Sequence, residues 1–376
     1  MKIGLNLLYL LPGEVGGTET YAVGLMKGLH RINTSHEFVV FVNERSVEWS
    51  SSHVPGFETV VCPIAGTNRE RRYMFEQVQL PRMARALRLD LMHSLGYASP
   101  LVMACPSVVT VHDLNFRAFG SSMPWHRRLG LSFFVGQAIR RSTKVLTVSE
   151  FSRKEILKYY RVAPDKIIAI HSGPGSGVSR EADGAPKALP AGIAQPYCVA
   201  FSSSSPNKNI PALLGAFRRL KDQRKLAHRL VLVGHTFSDA ASAQDPGPGG
   251  GLDGVVQTGY LNDDVLTDVL RAADFLVFPS FYEGFGLPVL EAMALGVPVV
   301  CSSTGSLPEV AGTAAVYFRP DSPDEMAAKI LEVAQSAELR RILQKKGYEN
   351  VLRFSWDRTA QRVLEVYEQI GMEHAR

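Results

Sequence analysis

The sequence predicts an α/β protein built from two doubly wound, Rossmann-like parallel-sheet domains. Three observations carry this. The chain has 376 residues, which is about two domains at roughly 150 residues each. Short, continuous apolar runs rich in β-branched residues alternate with helix-like segments, the pattern of parallel strands covered on both faces. The runs fall into two sets, separated at residues 173–196 by a stretch of Gly, Pro, Ser and Ala with no helical or strand period.

In order along the chain, the first set of runs is residues 3–8, 38–42, 89–93, 107–112, 145–148 and 167–171. The opening run, Met1 to Leu11, could pass for a signal peptide, but it is short and no small-residue cleavage site follows, so it reads as a buried strand. Ala22, Leu25, Met26 and Leu29 mark the buried stripe of the next helix. Between residues 69 and 88, Tyr73, Met74, Phe75, Val78 and Leu80 interleave with arginines, and Pro81 starts a new helix or bends an existing one. Two readings stand for this segment: amphipathic helices packed on the sheet, or a basic face for anionic lipid or a polyprenyl-diphosphate-linked acceptor. The second set of runs is 197–201, 230–233, 255–259, 275–278, 297–301 and 315–318. Asp245-Pro-Gly-Pro-Gly-Gly-Gly251 reads as a surface loop. Val363, Leu364, Val366, Tyr367 and Ile370 form a helical stripe with no strand after it, so the last helix is expected to cross back onto the first domain. The expected division is therefore 1–175, 190–355 and a crossing helix 356–376.

Composition excludes several classes. Hydrophobic residues are 45% and charged residues 20%, so disorder and fibrous repeats are ruled out. No run is long enough to span a bilayer, which takes about 18 or more apolar residues. Cys62, Cys105, Cys198 and Cys301 are far apart, each in or beside an apolar run, and read as buried thiols of a reducing, cytoplasmic setting. Residues 1–175 hold 21 Lys+Arg against 13 Asp+Glu, the remainder 20 against 23. A basic first half points to an anionic partner there, with nucleic acid, membrane surface and phosphorylated substrate all open on charge alone.

Two stretches could carry chemistry. Pro12-Gly13-Glu14-Val15-Gly16-Gly17-Thr18-Glu19 follows the first strand and opens a helix, with Thr18 the expected N-cap. Gly16 and Gly17 permit close backbone approach, and a helix start favours anions; a plain tight turn is the alternative. It is not G-x-G-x-x-G, so no nicotinamide or flavin is indicated. Further on, Phe281-Tyr282-Glu283-Gly284-Phe285-Gly286-Leu287-Pro288-Val289-Leu290-Glu291 sets two glutamates eight residues apart across a Gly-rich turn. Pro288 fits a helix start. Glu283 falls in the loop after the strand 275–278, at the strand end where such sheets bind ligands. Glu291 falls in the first helical turn, where it either meets a ligand or complements the helix dipole. A carboxylate there can accept sugar hydroxyls, and the N–H groups of Gly286 and Leu287 can face phosphate.

The Glu283…Glu291 spacing within Glu-Gly-Phe-Gly-Leu-Pro-x-x-Glu-Ala resembles the E-x7-E motif of retaining glycosyltransferases of the GT-B fold, family 4. Gly16-Gly17-Thr18-Glu19, Thr110-Val-His-Asp-Leu114, Val148-Ser-Glu-Phe-Ser-Arg153 and Ser205-Pro-Asn-Lys-Asn209 extend the resemblance over nearly the whole chain. It implies two domains facing a central cleft, the first binding acceptor and the second sugar nucleotide. Glu291 would hold the ribose, Glu283 the transferred sugar, Gly16 and Gly17 the diphosphate, and Lys208 would neutralise it. Such a lysine at about 4 Å contributes about 4 kcal/mol before desolvation at an effective dielectric near 20. Without the resemblance, Lys208 would read as a solvated helix-start lysine. Tyr260 and Leu261 would hold the base, with Phe285, Gly286 and Leu287 completing the donor site. His112 would hydrogen-bond the transferred sugar, with Asp113 orienting its loop. The family often adds an arginine a few residues before the lysine; here Phe201-Ser-Ser-Ser-Ser-Pro-Asn-Lys208 has serines instead.

The resemblance implies anomer-retaining transfer of a hexose, with GDP-mannose the first expected donor and UDP-glucose, a UDP-N-acetylhexosamine or a deoxysugar nucleotide as open alternatives. GDP-mannose comes first because the Ser-Pro-Asn-Lys-Asn and Thr-Val-His-Asp-Leu segments resemble those of bacterial mannosyltransferases of surface polysaccharide assembly. The acceptor would be a glycan or lipid-linked hydroxyl. No Asp-x-Asp or clustered His/Asp/Glu set suggests a metal, so no cofactor and no metal are expected, and nucleic acid is not an expected partner. A sugar-nucleotide epimerase of the same fold, or a degenerate sugar-nucleotide-binding protein, are the alternatives.

Overall fold

The fold is described from a computed structural model covering residues 1–32, 35–54, 56–120, 123–175, 189–236 and 254–374. It divides into two compact units, Met1–Gly173 with Phe354–Arg376, and Pro174–Arg353. Most of the 173–196 stretch and all of the 245–251 loop lie outside the described residues.

The first unit is a seven-stranded parallel sheet: β1 (Lys2–Asn6), β2 (Glu37–Asn43), β3 (Glu58–Cys62), β4 (Leu91–Ser94), β5 (Ser107–Thr110), β6 (Lys144–Thr147) and β7 (Ile167–Ala169). Its order is β3-β2-β1-β4-β5-β6-β7. The chain winds outward one way from β1 and then the other way from β4, so the order reverses between those two strands, which pair in parallel from Ile3–Leu91 to Asn6–Ser94. The inner strands are apolar on both faces because helices cover both; Leu5, Val40, Val108 and Val145 are fully buried. Six strands match the apolar runs. β3 has no such run: it is an edge strand, its Val61 is 45% exposed, and its polar start hides it from a search for continuous hydrophobicity.

The second unit is a six-stranded parallel sheet: β8 (Tyr197–Ser202), β9 (Arg229–Gly234), β10 (Val255–Gly259), β11 (Phe275–Phe278), β12 (Val299–Ser302) and β13 (Ala315–Phe318). Its order is β10-β9-β8-β11-β12-β13, with the reversal between β8 and β11. One core lies on each face of the sheet, the first around Leu213, Phe217 and Ile330, the second around Val269, Val289 and Met293.

One local reading changes. Residues 69–86 form one helix, Arg69–Ala86, which continues through Pro81 at the loss of one backbone hydrogen bond instead of restarting there. The last helix, Trp356–His374, belongs to the first unit and lies against the helix Gly17–Arg31. Close approach is made possible by Gly24, whose missing side chain leaves room for the Trp356 ring, and by Gly28, where a Cβ would sit 2.6 Å from the Trp356 carbonyl. Arg31 Nε donates to Asp357 Oδ1 at 2.7 Å, and Thr359 Oγ1 donates to the His171 carbonyl at 2.7 Å. Tyr367 Oη meets the buried His93 Nδ1 at 2.5 Å. Gly24→Ala should therefore overpack this seam and lower stability by about 1–3 kcal/mol, measured as a fall in the urea midpoint with an unchanged slope.

Candidate functional site

In the second unit the topology itself selects a place. Where a doubly wound sheet reverses, the two loops leaving the adjacent strands diverge and open a crevice at the strand C-termini. Here those loops are residues 203–209 after β8 and 279–286 after β11. Lys208 stands on the first and Glu283 on the second, and the structure brings them together: Lys208 Nζ donates to Glu283 Oε1 at 2.6 Å. The ammonium also lies 5.2 Å from the centre of the Phe278 ring. Neither side chain is fully buried, at 25% and 14% exposure, so a ligand can reach both.

The loops are fixed by their neighbours. Asn207 and Asn209, on either side of Lys208, are buried and act as brackets. Asn207 Nδ2 donates to the Tyr282 carbonyl at 3.1 Å and the Phe281 N–H donates to the Asn207 carbonyl at 2.7 Å. Asn209, left-handed at φ 55°, donates to the carbonyls of Pro279 and Pro320. Behind Glu283, its carbonyl accepts from Ser306 Oγ at 3.0 Å. Gly305, at φ 65°, is packed so closely that a Cβ would stand 2.9 Å from the Glu283 nitrogen. Gly305→Ala should displace the Glu283 backbone, costing about 1–3 kcal/mol in stability. The variant's kcat/KM should fall further than its unfolded fraction at assay temperature explains.

After Glu283 come the buried Phe285 and Gly286, then the helix Leu287–Ala294. Gly286 is its N-cap at φ 93°, and no side chain caps the helix. Glu291 is the fifth helical residue, beyond the first turn expected for it, so a helix-dipole role is a weak account of it. Its side chain is partly buried. Burial pushes its acid constant up to about 7, the Asp263 charge adds to this, and the Gly175 N–H hydrogen bond works the other way. Gly175 has no room for a side chain: a Cβ would lie 2.5 Å from Glu291 Oε1. Asp263 opens the helix Asp263–Arg271, whose N-cap Asn262 accepts from the Val265 N–H at 3.0 Å. Just before it, after β10, stand Tyr260, 84% exposed, and Leu261, packed on the core.

The serines in place of the expected arginine turn largely to the loop itself. Ser202 Oγ is buried against the Val233 carbonyl, Ser203 Oγ accepts from the Ser205 N–H, and Ser205 Oγ donates to Asn207 Oδ1 at 2.5 Å.

In the first unit, the Gly-rich stretch follows β1. Gly16, not Thr18, is the N-cap of Gly17–Arg31; at φ 56° and ψ −130° it holds a conformation reserved for glycine, with open space where a Cβ would be. Thr18 Oγ1 instead donates to the Val15 carbonyl at 3.0 Å. Glu19 organises the loop: one carboxylate oxygen accepts from the Gly13 N–H at 2.9 Å, the other from Trp49 Nε1 at 2.7 Å. His112 lies two residues beyond β5 and is buried. Its Nε2 meets the Leu95 carbonyl at 3.0 Å, and because a carbonyl only accepts, Nε2 carries the proton and Nδ1 is the acceptor. Burial pushes its acid constant down to about 4, so the ring is neutral above that pH. Asp113 Oδ1 accepts from the Asn115 N–H and from Tyr97 Oη, which orients the loop.

Thus Lys208, Glu283, Phe285, Gly286, Leu287, Glu291, Tyr260 and Leu261 belong to the second unit, and Gly16, Gly17 and His112 to the first. Glu19, Gly175, Asn207, Asn209 and Gly305 carry roles that the motifs alone do not reveal. Among the described residues, no group of three or more His, Cys, Asp or Glu is placed to hold a metal ion, and no helix is long and apolar enough to cross a membrane.

Comparison with known proteins agrees with both halves. Residues 15–173 match the model for Glycosyltransferase Family 4, and residues 195–336 the model for Glycosyl transferases group 1. The chain is 32% identical over 266 residues to O-antigen chain mannosyltransferase B of Escherichia coli, covering 70% of each chain. It is 30% identical over 285 residues to the MMP alpha-(1->4)-mannosyltransferase of Mycolicibacterium hassiacum, covering 71% of this chain and 66% of that one. The fold matches the sucrose-phosphate synthase of Thermosynechococcus elongatus with a TM-score of 0.72, 19% identity and coverage of 98% and 99%. The architecture is GT-B, and the chain belongs to family 4 of the glycosyltransferases.

Proposed function

We propose that this glycosyltransferase moves a mannosyl group from GDP-mannose to a hydroxyl of a growing surface polysaccharide, with retention of anomeric configuration and without a metal ion. The observation that carries the reading is the Lys208–Glu283 pair at the sheet reversal, with Glu283 on the same loop-and-helix segment as Glu291. The mannosyltransferase relatives favour mannose.

In this reading Glu291 accepts the ribose hydroxyls and Glu283 the hydroxyls of the transferred sugar. Lys208, already aimed into the crevice, turns to the diphosphate. As the glycosidic bond breaks, negative charge grows on the leaving diphosphate. The Lys208 ammonium, together with the uncapped N–H groups of Gly286 and Leu287, stabilises that charge. Phe278 and Phe285 keep the surroundings apolar, which strengthens these interactions. Tyr260 and Leu261 offer an aromatic face and an apolar side chain to the base. In the first unit, Gly16 and Gly17 approach the diphosphate by backbone. His112, with Nδ1 as its acceptor, takes a hydrogen bond from a sugar hydroxyl; it is a binding and orienting group, neutral through the working pH range. A reducing cytoplasmic setting belongs to the same reading, supported by four free cysteines.

The test is a panel of sugar nucleotides with and without an oligosaccharide acceptor, read as nucleotide release and as product anomer by NMR. Release from GDP-mannose that depends on acceptor, gives the retained anomer and survives a strong chelator is expected. Activity abolished by chelator and restored by Mg²⁺ would overturn metal independence. Conversion to another sugar nucleotide without acceptor would return the epimerase reading.

A further inference from the structure

The first unit carries a surface that its own core does not use. In the helix Trp125–Arg141, Val135, Ala138 and Ile139 pack into the core, so the apolar stripe that seats this helix is accounted for. A second stripe, Trp125, Leu129 and Phe133, recurs every four residues on the outside and is 70%, 56% and 53% exposed. Beside it runs the helix Arg69–Ala86, joined by the stacked rings of Tyr73 and Phe134 at 4.4 Å. That helix adds Met74, 65% exposed, and Val78, 40% exposed. A helix apolar on two faces, one of them in water, marks an interaction surface.

The charge around it has one sign. From residue 114 to residue 149 there is no Asp or Glu, while Arg117, Arg127, Arg128, Arg140, Arg141 and Lys144 fall in that span. On the neighbouring helix the exposed Arg69 and Arg71 flank one exposed carboxylate, Glu70; Glu76 is buried beside Arg72 at 3.8 Å. Arg69 is held below its usual acid constant by partial burial and by the like charges of Arg127 and Arg72. Clustered arginines repel one another, which opposes pairing of this face with a second copy. They suit a plane of phosphate groups, into which indole, phenyl and leucyl side chains can sink.

We propose that the face formed by Trp125, Leu129, Phe133 and Met74, with Arg69, Arg71, Arg127 and Arg128, docks the protein on an anionic lipid bilayer. The helices lie in the plane of the headgroups. The surface stands independently of the sugar-nucleotide reading.

The test uses the full chain and lipid vesicles, without sugar donor. Trp49 and Trp356 are buried, so Trp125 is the exposed indole and reports contact directly. With vesicles of phosphatidylcholine and phosphatidylglycerol, the protein should float with the lipid and its emission should shift to the blue. Both signals should weaken with rising salt, and phosphatidylcholine alone should give neither. Leu129→Ser with Phe133→Ser should weaken partitioning at least tenfold or so, since each buried apolar side chain contributes about that factor. Arg127→Gln with Arg128→Gln should weaken it about fivefold per residue and flatten the salt dependence. Every replaced side chain is exposed, so the thermal midpoint should hold; a variant whose midpoint falls is replaced by the other pair. No flotation with the anionic vesicles overturns the proposal, as does equal binding to phosphatidylcholine or binding that neither pair weakens. A blue shift that grows with protein concentration without lipid also overturns it, in favour of a second copy of the chain.

Discussion

Glu291→Gln should raise the donor KM and lower kcat/KM by about tenfold to a hundredfold while making the folded protein more stable near pH 8. Hydrogen bonds to a charged group contribute about 1.5–3 kcal/mol, and one made equally in ground and transition states appears in KM. The stability gain follows from the partly buried carboxyl. The group titrates near 4.3 in an unfolded chain and at about 7 in the fold. The fold therefore holds its proton more tightly, and the stability this contributes is complete below about pH 4 and lost as the pH rises through 7. Glutamine carries no charge to bury, so the variant should gain about 1–3 kcal/mol at pH 8 and almost nothing at pH 4, read by urea unfolding at both. Donor affinity has its own pH signature. Ribose hydroxyls donating to a carboxylate favour its ionised form, so affinity for a sugar nucleotide should rise up to about tenfold per pH unit toward 7 and level off above it. The glutamine variant should lose that slope. Loss of less than about tenfold in kcat/KM, with the slope intact, would remove Glu291 from the ribose.

Lys208→Met should lower kcat by about a hundredfold to a thousandfold, the range seen when one fixed donor to a developing negative charge is removed. Here the effect should lie in kcat more than in KM, because the leaving diphosphate gains charge only as the bond breaks. The variant also strands Glu283, whose carboxylate is 14% exposed and bonded to Lys208 at 2.6 Å. Glu283→Gln in the same background should relieve that carboxylate, so the double variant should be more stable than Lys208→Met alone. Its activity should be no lower than the poorer single variant. Additive losses in stability would mean that the pair is not coupled in the folded state.

Much of this arrangement is legible in the sequence, and the remainder is hidden for definite reasons. The inner strands of the second unit read clearly because a strand buried on both faces must be apolar throughout. β3 does not, because an edge strand needs only half of that pattern. The Gly286 turn and the glutamates flanking it are a local motif, and their spacing survives translation into structure, although Glu291 sits one position past the first turn. The contact between Lys208 and Glu283 joins residues 75 apart in the chain, and only the reversal of strand order between β8 and β11 makes them neighbours. The supports are harder to see. Gly305 and Gly175 matter for what they leave empty, Asn207 and Asn209 for carbonyls on another loop, and Glu19 for the N–H groups of Gly13 and Trp49. None of these carries a signal in composition or period. Thr18 illustrates the opposite error: a good capping residue two positions too late, where the glycine-only backbone of Gly16 already begins the helix.

We propose that a nucleotide-linked sugar binds the second unit at the β8/β11 reversal, held by Lys208, Glu283 and Glu291. Titration calorimetry of the full chain with GDP-mannose, UDP-glucose and the free nucleotides tests it most directly. Measurable heat is expected with at least one sugar nucleotide, GDP-mannose first, with an affinity reduced about tenfold or more by Glu291→Gln. Heat with none of them, or binding that Glu291→Gln and Lys208→Met together leave unchanged, would contradict it.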